Sequence, residues 1–536
     1  MAETVSETKS APEAGGGGGG GGGGDRLRIW TLMRGRLAAA VAGATVRGWA
    51  GPLAVTGLGA WLRFAELGNP QDVVFDEAYY APQAYGILRF GAEHTTNGFA
   101  NTELLSGNTN IFIYGGQFAA HPPFGKVQIA AGEWLFGLDP FGWRFAVALV
   151  GTLSILLLAR ITRRMTGSTL LGTIAGLLLA LDGLELVMSR TAMLDVFVMF
   201  WALAGFGCLI IDRDRHARAA ARGVPDEQER QRALPPVRWW RLAAGVCLGL
   251  AVSCKWNGLY FLVGFTLLSA AWDVAARRSA RPDHQVRTLT ALLRDGAGSV
   301  AGLWPVAAVA YLATWRGWFA STIGWDRYYA QQHGVSTPVV STLYSWAQYQ
   351  REMFDYGTSL STPNTFASHP WTWLLLTHPV RFYYAAPRFA QSGCQEARGC
   401  VQNVLAVGTP AIWWAAIPAL AVILALWLRR RDWRLGAVLA AVAAGWLPWF
   451  AFSSRTEYFY YAVSFEPFLI LAVTLCLGLV LGPRVASLRR RLTGASIVGV
   501  YLAVVALNFA FLYPVLTGRP VSYSAWIARM LMPNWI

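Results

Sequence analysis

Stretches of about 20 apolar residues, the length of one bilayer-crossing helix, recur along this chain, and short arginine-rich loops separate them. That alternation excludes an ordinary soluble fold. A soluble chain carries about a quarter of its residues as charges, whereas here 14% of 536 residues are charged, 54% are hydrophobic and the mean hydropathy is +0.37. Transmembrane barrel strands show a weak alternation over roughly ten residues rather than long apolar runs. The expected fold class is therefore an all-α integral membrane protein.

The apolar spans fall near 48–66, 141–160, 168–186, 191–211, 242–255, 258–275, 297–315, 409–428, 434–452, 458–481 and 495–514, about eleven transmembrane helices. Segments 168–211 and 242–275 are too long for one crossing and are each divided in two. Residues 1–47 contain ten consecutive glycines, Gly15 to Gly24, and a set of basic side chains, which predicts a disordered cytoplasmic tail. No small-residue cleavage pattern follows, so the first helix is expected to be retained as a signal anchor.

With the N-terminus inside, 30 of the 45 basic residues lie in the tail and in loops 160–167, 212–241, 276–296, 429–434 and 482–494. This is the positive-inside pattern, and it accounts for the net charge of +15 without a nucleic-acid partner. The parity of eleven helices places the C-terminal tail, 515–536, outside. Only three lysines occur, and two of them, Lys126 and Lys255, fall on the outer face.

Two long external loops remain, 67–140 and 316–408, both rich in Trp, Tyr and Phe. The first carries Phe75-Asp76-Glu77 and then His121-Pro122-Pro123-Phe124-Gly125-Lys126. Adjacent carboxylates can be a solvated loop or a helix start, and the double proline can be simply a rigid turn that presents its neighbours. Arg190 and Asp195 stand at the outer start of a helix, as a structural ion pair or as a site. Lys255-Trp256-Asn257 marks an outer turn where a lysine could also snorkel to the interface. Arg455 opens an aromatic run, Tyr458 to Tyr461, that could be an interfacial belt, while Glu466 lies within an apolar span. Of the six cysteines, Cys394 and Cys400 share a polar external loop and could form a disulfide in an oxidising compartment.

Together these groups place an acidic pair, a histidine and several cations on one side of the membrane. Guanidinium and ammonium groups suit a phosphate, and a carboxylate can take a proton from an incoming hydroxyl. The expected ligand is a phosphate-bearing lipid. No phosphate-binding glycine loop, His-Glu-x-x-His or Cys-x-x-Cys occurs, so neither nucleotide hydrolysis nor structural zinc is indicated.

Arg63-Phe64, Pro70, Phe75-Asp76-Glu77, His121 to Lys126, Ser189-Arg190 with Leu194-Asp195, and Lys255-Trp-Asn-Gly-Leu-Tyr260 occur in the order found in protein O-mannosyltransferases. From about residue 50 to Trp535-Ile536 the chain resembles a bacterial member of that family, and its low lysine content fits an actinobacterial source. The resemblance implies a GT-C type glycosyltransferase that moves mannose from polyprenyl-phosphate-mannose to Ser or Thr hydroxyls of exported proteins. It implies Asp76 as general base, with Glu77 orienting it by pairing with Arg190. Lys255, Lys126 and Arg190 would stabilise the leaving phosphate, and Asn257, His121, Asp195, Arg63 and Arg455 complete the donor-binding set. Further implied partners are membrane lipids and the protein export machinery, at a bacterial plasma membrane with the active site outside. No obligatory cofactor or metal is implied, although a divalent cation near the acidic pair would be compatible.

The chain departs from eukaryotic relatives at Tyr79, where they carry His, and at Ala119-Ala120, where they carry an acid. It also has no room in 316–408 for their β-trefoil domain. Competing readings are a GT-C enzyme moving another lipid-linked sugar to a lipid or cell-wall glycan, a lipid-sugar transporter, and a non-catalytic scaffold. Transport would favour polar residues at mid-membrane, whereas here they gather at the outer helix ends.

Overall fold

The computed structural model describes residues 47–221, 237–280, 288–452, 454–483 and 485–536. The glycine-rich tail, except Arg47, and parts of the loops expected at 212–241 and 276–296 lie outside the described residues.

A helix stands at each of the eleven positions expected to cross. Seven of them are long and apolar enough to span a membrane: Pro140–Thr166, Asp195–His216, Gly258–Arg277, Leu293–Thr314, Pro410–Arg430, Trp433–Phe452 and Leu488–Leu516. Thr169–Ala180, Trp239–Cys254 and Glu466–Leu481 are apolar but shorter, and the first helix among the described residues is Arg47–Phe64. The protein is a multi-pass membrane protein.

Three expected spans change character part-way, each for a local reason. The span at 168–186 stops at Ala180, because the Asp182 carboxylate accepts from the N–H groups of Leu184 and Glu185 and starts a separate short helix, Gly183–Met188. The span at 458–481 opens as a 3₁₀ turn, Phe459–Ser464, before Pro467 sets the first turn of Glu466–Leu481. At 434–452, helix Trp433–Trp446 gives way at Pro448 to a 3₁₀ segment, Leu447–Phe452.

Helix Asp195–Ala221 runs through the centre, its first residues wholly buried, and packs on Trp239–Cys254 and Pro140–Thr166. Trp239–Cys254 packs in turn on Thr288–Thr314 through Gly245 and Gly249. A Cβ at these glycines would stand 2.9 Å and 2.5 Å from the carbonyl oxygens of Leu303 and Ala307, so this spacing of small residues permits the close approach. Asp212 lies 17 residues beyond Asp195, about 25 Å along the helix. There Arg238 bridges Asp212 and Asp273, Arg241 joins Asp273, and Arg164 pairs with Asp214. The arginine-rich ends are thus held by ion pairs far from the Asp195 end.

The two long segments form a cap at that Asp195 end. Segment 67–140 contains helices Glu77–Phe90 and Phe124–Phe136, with strand His94–Thr96 antiparallel to Phe112–Gly116. Segment 316–408 contains a 22-residue helix, Pro338–Ser359, that the sequence reading did not anticipate. Its Ser341, Ser345, Tyr349 and Met353, four residues apart, form the buried face. Strand Val380–Ala385 then pairs antiparallel with Gln402–Ala406, and Cys394 and Cys400, between these strands, are disulfide-bonded.

Candidate active site

The cap and the helix ends beneath it border a cavity of about 930 Å³. Asp76, His121, Lys255, Asn257 and Arg455 line it, with Tyr79, Tyr80, Tyr260, Trp256, Trp449, Tyr460 and Tyr461 among its aromatic walls. The sequence-derived candidates therefore divide, five in the wall of one cavity and the others behind it.

Asp76 sits at the N-cap of helix Glu77–Phe90 in αR geometry, and its side chain makes no capping bond. The carboxylate is left facing the cavity, where the Tyr80 hydroxyl donates to it at 3.4 Å. Phe75 immediately before it has φ +53°, a strained value for a residue with a Cβ. Its ring is held by stacking on Phe382 at 4.4 Å and an edge contact with Tyr460 at 5.7 Å. Burial pushes the Asp76 carboxyl up from 3.8 to about 6, against the opposing pull of Lys255, and Asp195 adds to the rise.

Glu77 points the other way and is completely buried. Its carboxylate accepts from Arg144 Nε at 2.7 Å and Nη2 at 2.8 Å, and from the backbone N–H groups of Val74 and Ala192, each at 2.9 Å. The expected pairing with Arg190 is thus replaced by one with Arg144, whose guanidinium also donates to the carbonyls of Leu67, Pro70 and Asp72. One arginine closes the turn that presents Asp76.

Arg190 is engaged elsewhere. It donates to the carbonyls of Leu62, Arg63, Ala65 and Glu66, at 2.7 to 3.2 Å, capping the C-terminal end of the first helix, where backbone oxygens lack helical partners. It makes no pair with Asp195 either. Asp195 is wholly buried and binds Lys255, with Nζ 3.0 Å and 2.9 Å from its two oxygens.

Lys255 Nζ also lies 4.5 Å from the centre of the Tyr461 ring, and Arg455 5.9 Å from the same ring. Two cations and an aromatic floor thus share the cavity wall with Asp76. Asn257 shares this wall, and both polar atoms of its carboxamide lack a partner among the described residues. His121 faces Tyr80 with ring centroids 6.4 Å apart. Burial and the neighbouring Lys255, Lys126 and Arg455 push its imidazole well below its ordinary value, so it is neutral.

Lys126 and Arg63, both expected to meet donor, do not reach the cavity. Lys126 is buried against Glu93, and Arg63 against Glu185, because a charge enclosed by protein needs a counter-ion more than the nearby cavity needs a cation. Sequence reasoning missed Arg144, although a charge near the start of an apolar span is itself a signal. It also missed Glu93 and the wall residues Gln117, Trp346 and Gln350, which carry no motif.

A helical membrane domain with a polar cavity between one set of helix ends and a cap of two long segments is the GT-C type of glycosyltransferase fold. The structure superposes on the S. cerevisiae protein O-mannosyltransferase Pmt1-Pmt2 complex bound to the sugar donor with a TM-score of 0.68, covering 94% of each chain at 14% identity. Residues 53–294 match the family model "Dolichyl-phosphate-mannose-protein mannosyltransferase", and 342–535 match "C-terminal four TMM region of protein-O-mannosyltransferase". The chain belongs to the protein O-mannosyltransferase family. Among its relatives is the polyprenol-phosphate-mannose–protein mannosyltransferase of Mycolicibacterium smegmatis, 39% identical over 504 residues, 91% of this chain and 93% of the relative. The Mycobacterium tuberculosis protein of that name is 39% identical over 91% of this chain and 92% of its own length, and the Corynebacterium glutamicum one 32% over 86% and 88%.

Proposed function

We propose that this protein transfers mannose from polyprenyl-phosphate-mannose to Ser or Thr hydroxyls of exported proteins, with Asp76 as general base. The observation that carries this reading is the meeting, in the wall of one cavity, of the Asp76 carboxylate, with Lys255 near enough to act on it, and a second cation, Arg455. In the reaction the acceptor oxygen attacks the anomeric carbon, the bond from that carbon to the phosphate oxygen breaks, and the hydroxyl proton passes to Asp76. Polyprenyl phosphate leaves with the electron pair. A single displacement inverts the anomeric configuration, so a β-linked donor gives an α-mannoside.

Lys255 and Arg455 suit the growing negative charge on the phosphate, and Asn257 suits its oxygens or the sugar hydroxyls. Asp195 holds Lys255 in place, and Glu77 with Arg144 holds the turn of Asp76. Neutral His121 can donate a hydrogen bond without adding charge. Arg190, Arg63 and Lys126 support this machinery from behind.

The positive-inside distribution supports a reading with the N-terminus in the cytoplasm of a bacterial cell and the cavity and C-terminus outside the plasma membrane. Acceptors would then meet the cavity as they leave the export machinery. The test is incorporation of labelled mannose from polyprenyl-phosphate-mannose into a Thr-containing peptide by the purified protein. Counts in the peptide are expected; donor binding without transfer to peptide, but with transfer to a glycan, would overturn the acceptor assignment.

A further inference from the structure

Segment 117–123 supplies Gln117, Phe118, Ala120 and His121 to the cavity wall, yet belongs to no helix and, apart from its edge beside Gly116, to no strand. Pro122 and Pro123 have no N–H to give, so regular backbone pairing cannot hold it. Side chains from two distant parts of the cap hold it instead. The Tyr349 hydroxyl accepts from the Ala119 N–H at 3.1 Å and donates to the Ala119 carbonyl at 3.3 Å, engaging both backbone groups of one residue. Lys126 Nζ donates to the His121 carbonyl at 2.9 Å while paired with the Glu93 carboxylate, and the Glu93 carbonyl accepts from the Gln117 N–H at 3.1 Å.

None of Glu93, Lys126 and Tyr349 lines the cavity, and all three are buried. The side chains of Tyr349 and Lys126 grip the backbone of Ala119, which adjoins the lining, and of His121, which is part of it, while the Glu93 carboxylate holds Lys126 in place. We propose that Lys126, Glu93 and Tyr349 are positioning residues, a latch that fixes the 117–123 backbone so that His121 stands at a set place beside Asp76 and Lys255. Tyr349 lies on helix Pro338–Ser359, whose next residues Gln350, Met353 and Phe354 line the same cavity. The latch therefore ties the second external segment to the His121 side of the site. This inference rests on the reading of the cavity as the site of transfer.

The variants are Tyr349→Phe and the pair Glu93→Gln with Lys126→Met, the second removing both charges so that neither is left buried alone. Amide hydrogen exchange of the intact protein in detergent, read by mass spectrometry without substrate, is expected to quicken in 117–123 in both variants and to stay unchanged in the central helices. With polyprenyl-phosphate-mannose and a Thr-containing peptide, kcat is expected to fall by about 100-fold, the scale of a 1 Å misplacement, while donor Kd changes by less than about twofold. Unchanged exchange in 117–123, or faster exchange with full kcat, would overturn the latch. Should the paired variant lose its fold, Tyr349→Phe, which deletes one oxygen, decides by the same two readouts. A parent that transfers no mannose would sink the functional reading and leave the exchange result to judge the latch alone.

Discussion

The acid side of the pH profile is the most exacting consequence of the structure. If Asp76 is the base, as proposed, transfer requires its carboxylate, and the enclosed site raises that group from 3.8 to about 6. The ionised form is complete well above pH 6 and is lost as pH falls through 6. With that value about 91% of the enzyme is active at pH 7 and about 9% at pH 5, a roughly tenfold fall in kcat/KM, which reports the free enzyme. A solvent-exposed aspartate would show almost no fall over this range. Lys255 is the cation that opposes the rise, so in Lys255→Met the limb moves to higher pH, whatever else that change does to donor binding. The assay is initial-rate transfer at low donor concentration from pH 4.5 to 8, corrected for enzyme recovered after return to pH 7. A limb near 4, or a limb that moves down in Lys255→Met, would refute the assignment of the base and of its electrostatic partner.

Other expectations follow from single contacts. Arg144→Met strands the buried Glu77 carboxylate with two backbone donors, at a cost of about 3–5 kcal/mol; a thermal unfolding midpoint equal to the parent's would remove the claim that this pair holds the turn. Gly249→Leu places a side chain where Ala307 O already lies 2.5 Å from a Cβ, and overpacking of this kind costs about 1–3 kcal/mol. A folded variant with parental melting would show that the two helices do not pack this way. Cys394→Ser with Cys400→Ser opens a loop closed across six positions, worth about 2 kcal/mol by loop entropy. Its melting should fall while kcat holds, and an unchanged midpoint would contradict a structural role for the clip.

The helical membrane architecture was legible because spans announce themselves by length, and each expected span does contain a helix. Its interruptions were harder to read: Asp182 and Pro467 restart helices inside apolar runs whose average hydropathy hides a single cap or proline. Lys255, Asn257 and Arg455 could be nominated because charged and polar groups bordering apolar spans are costly unless they serve a purpose, and Asp76 and His121 because they stand in motifs of a long connecting segment. Their partners could not be assigned, since an arginine in sequence does not reveal whether carboxylates or carbonyls will satisfy it. Arg190 bonds to carbonyls about 125 positions earlier, and Arg144 to Glu77 across 67. The Pro338–Ser359 helix escaped notice because two of its four buried positions are serines, which carry no hydrophobic period.

The most direct test of the account is to compare the parent with Asp76→Asn in one preparation, measuring mannose transferred to a Thr-containing peptide and, separately, polyprenyl-phosphate-mannose bound. Asn keeps the size of the side chain and cannot accept the proton. The account predicts donor binding within about threefold of the parent and transfer reduced by about 100-fold or more, the range for loss of a general base. Transfer by Asp76→Asn at the parental rate, with donor still bound, would contradict it.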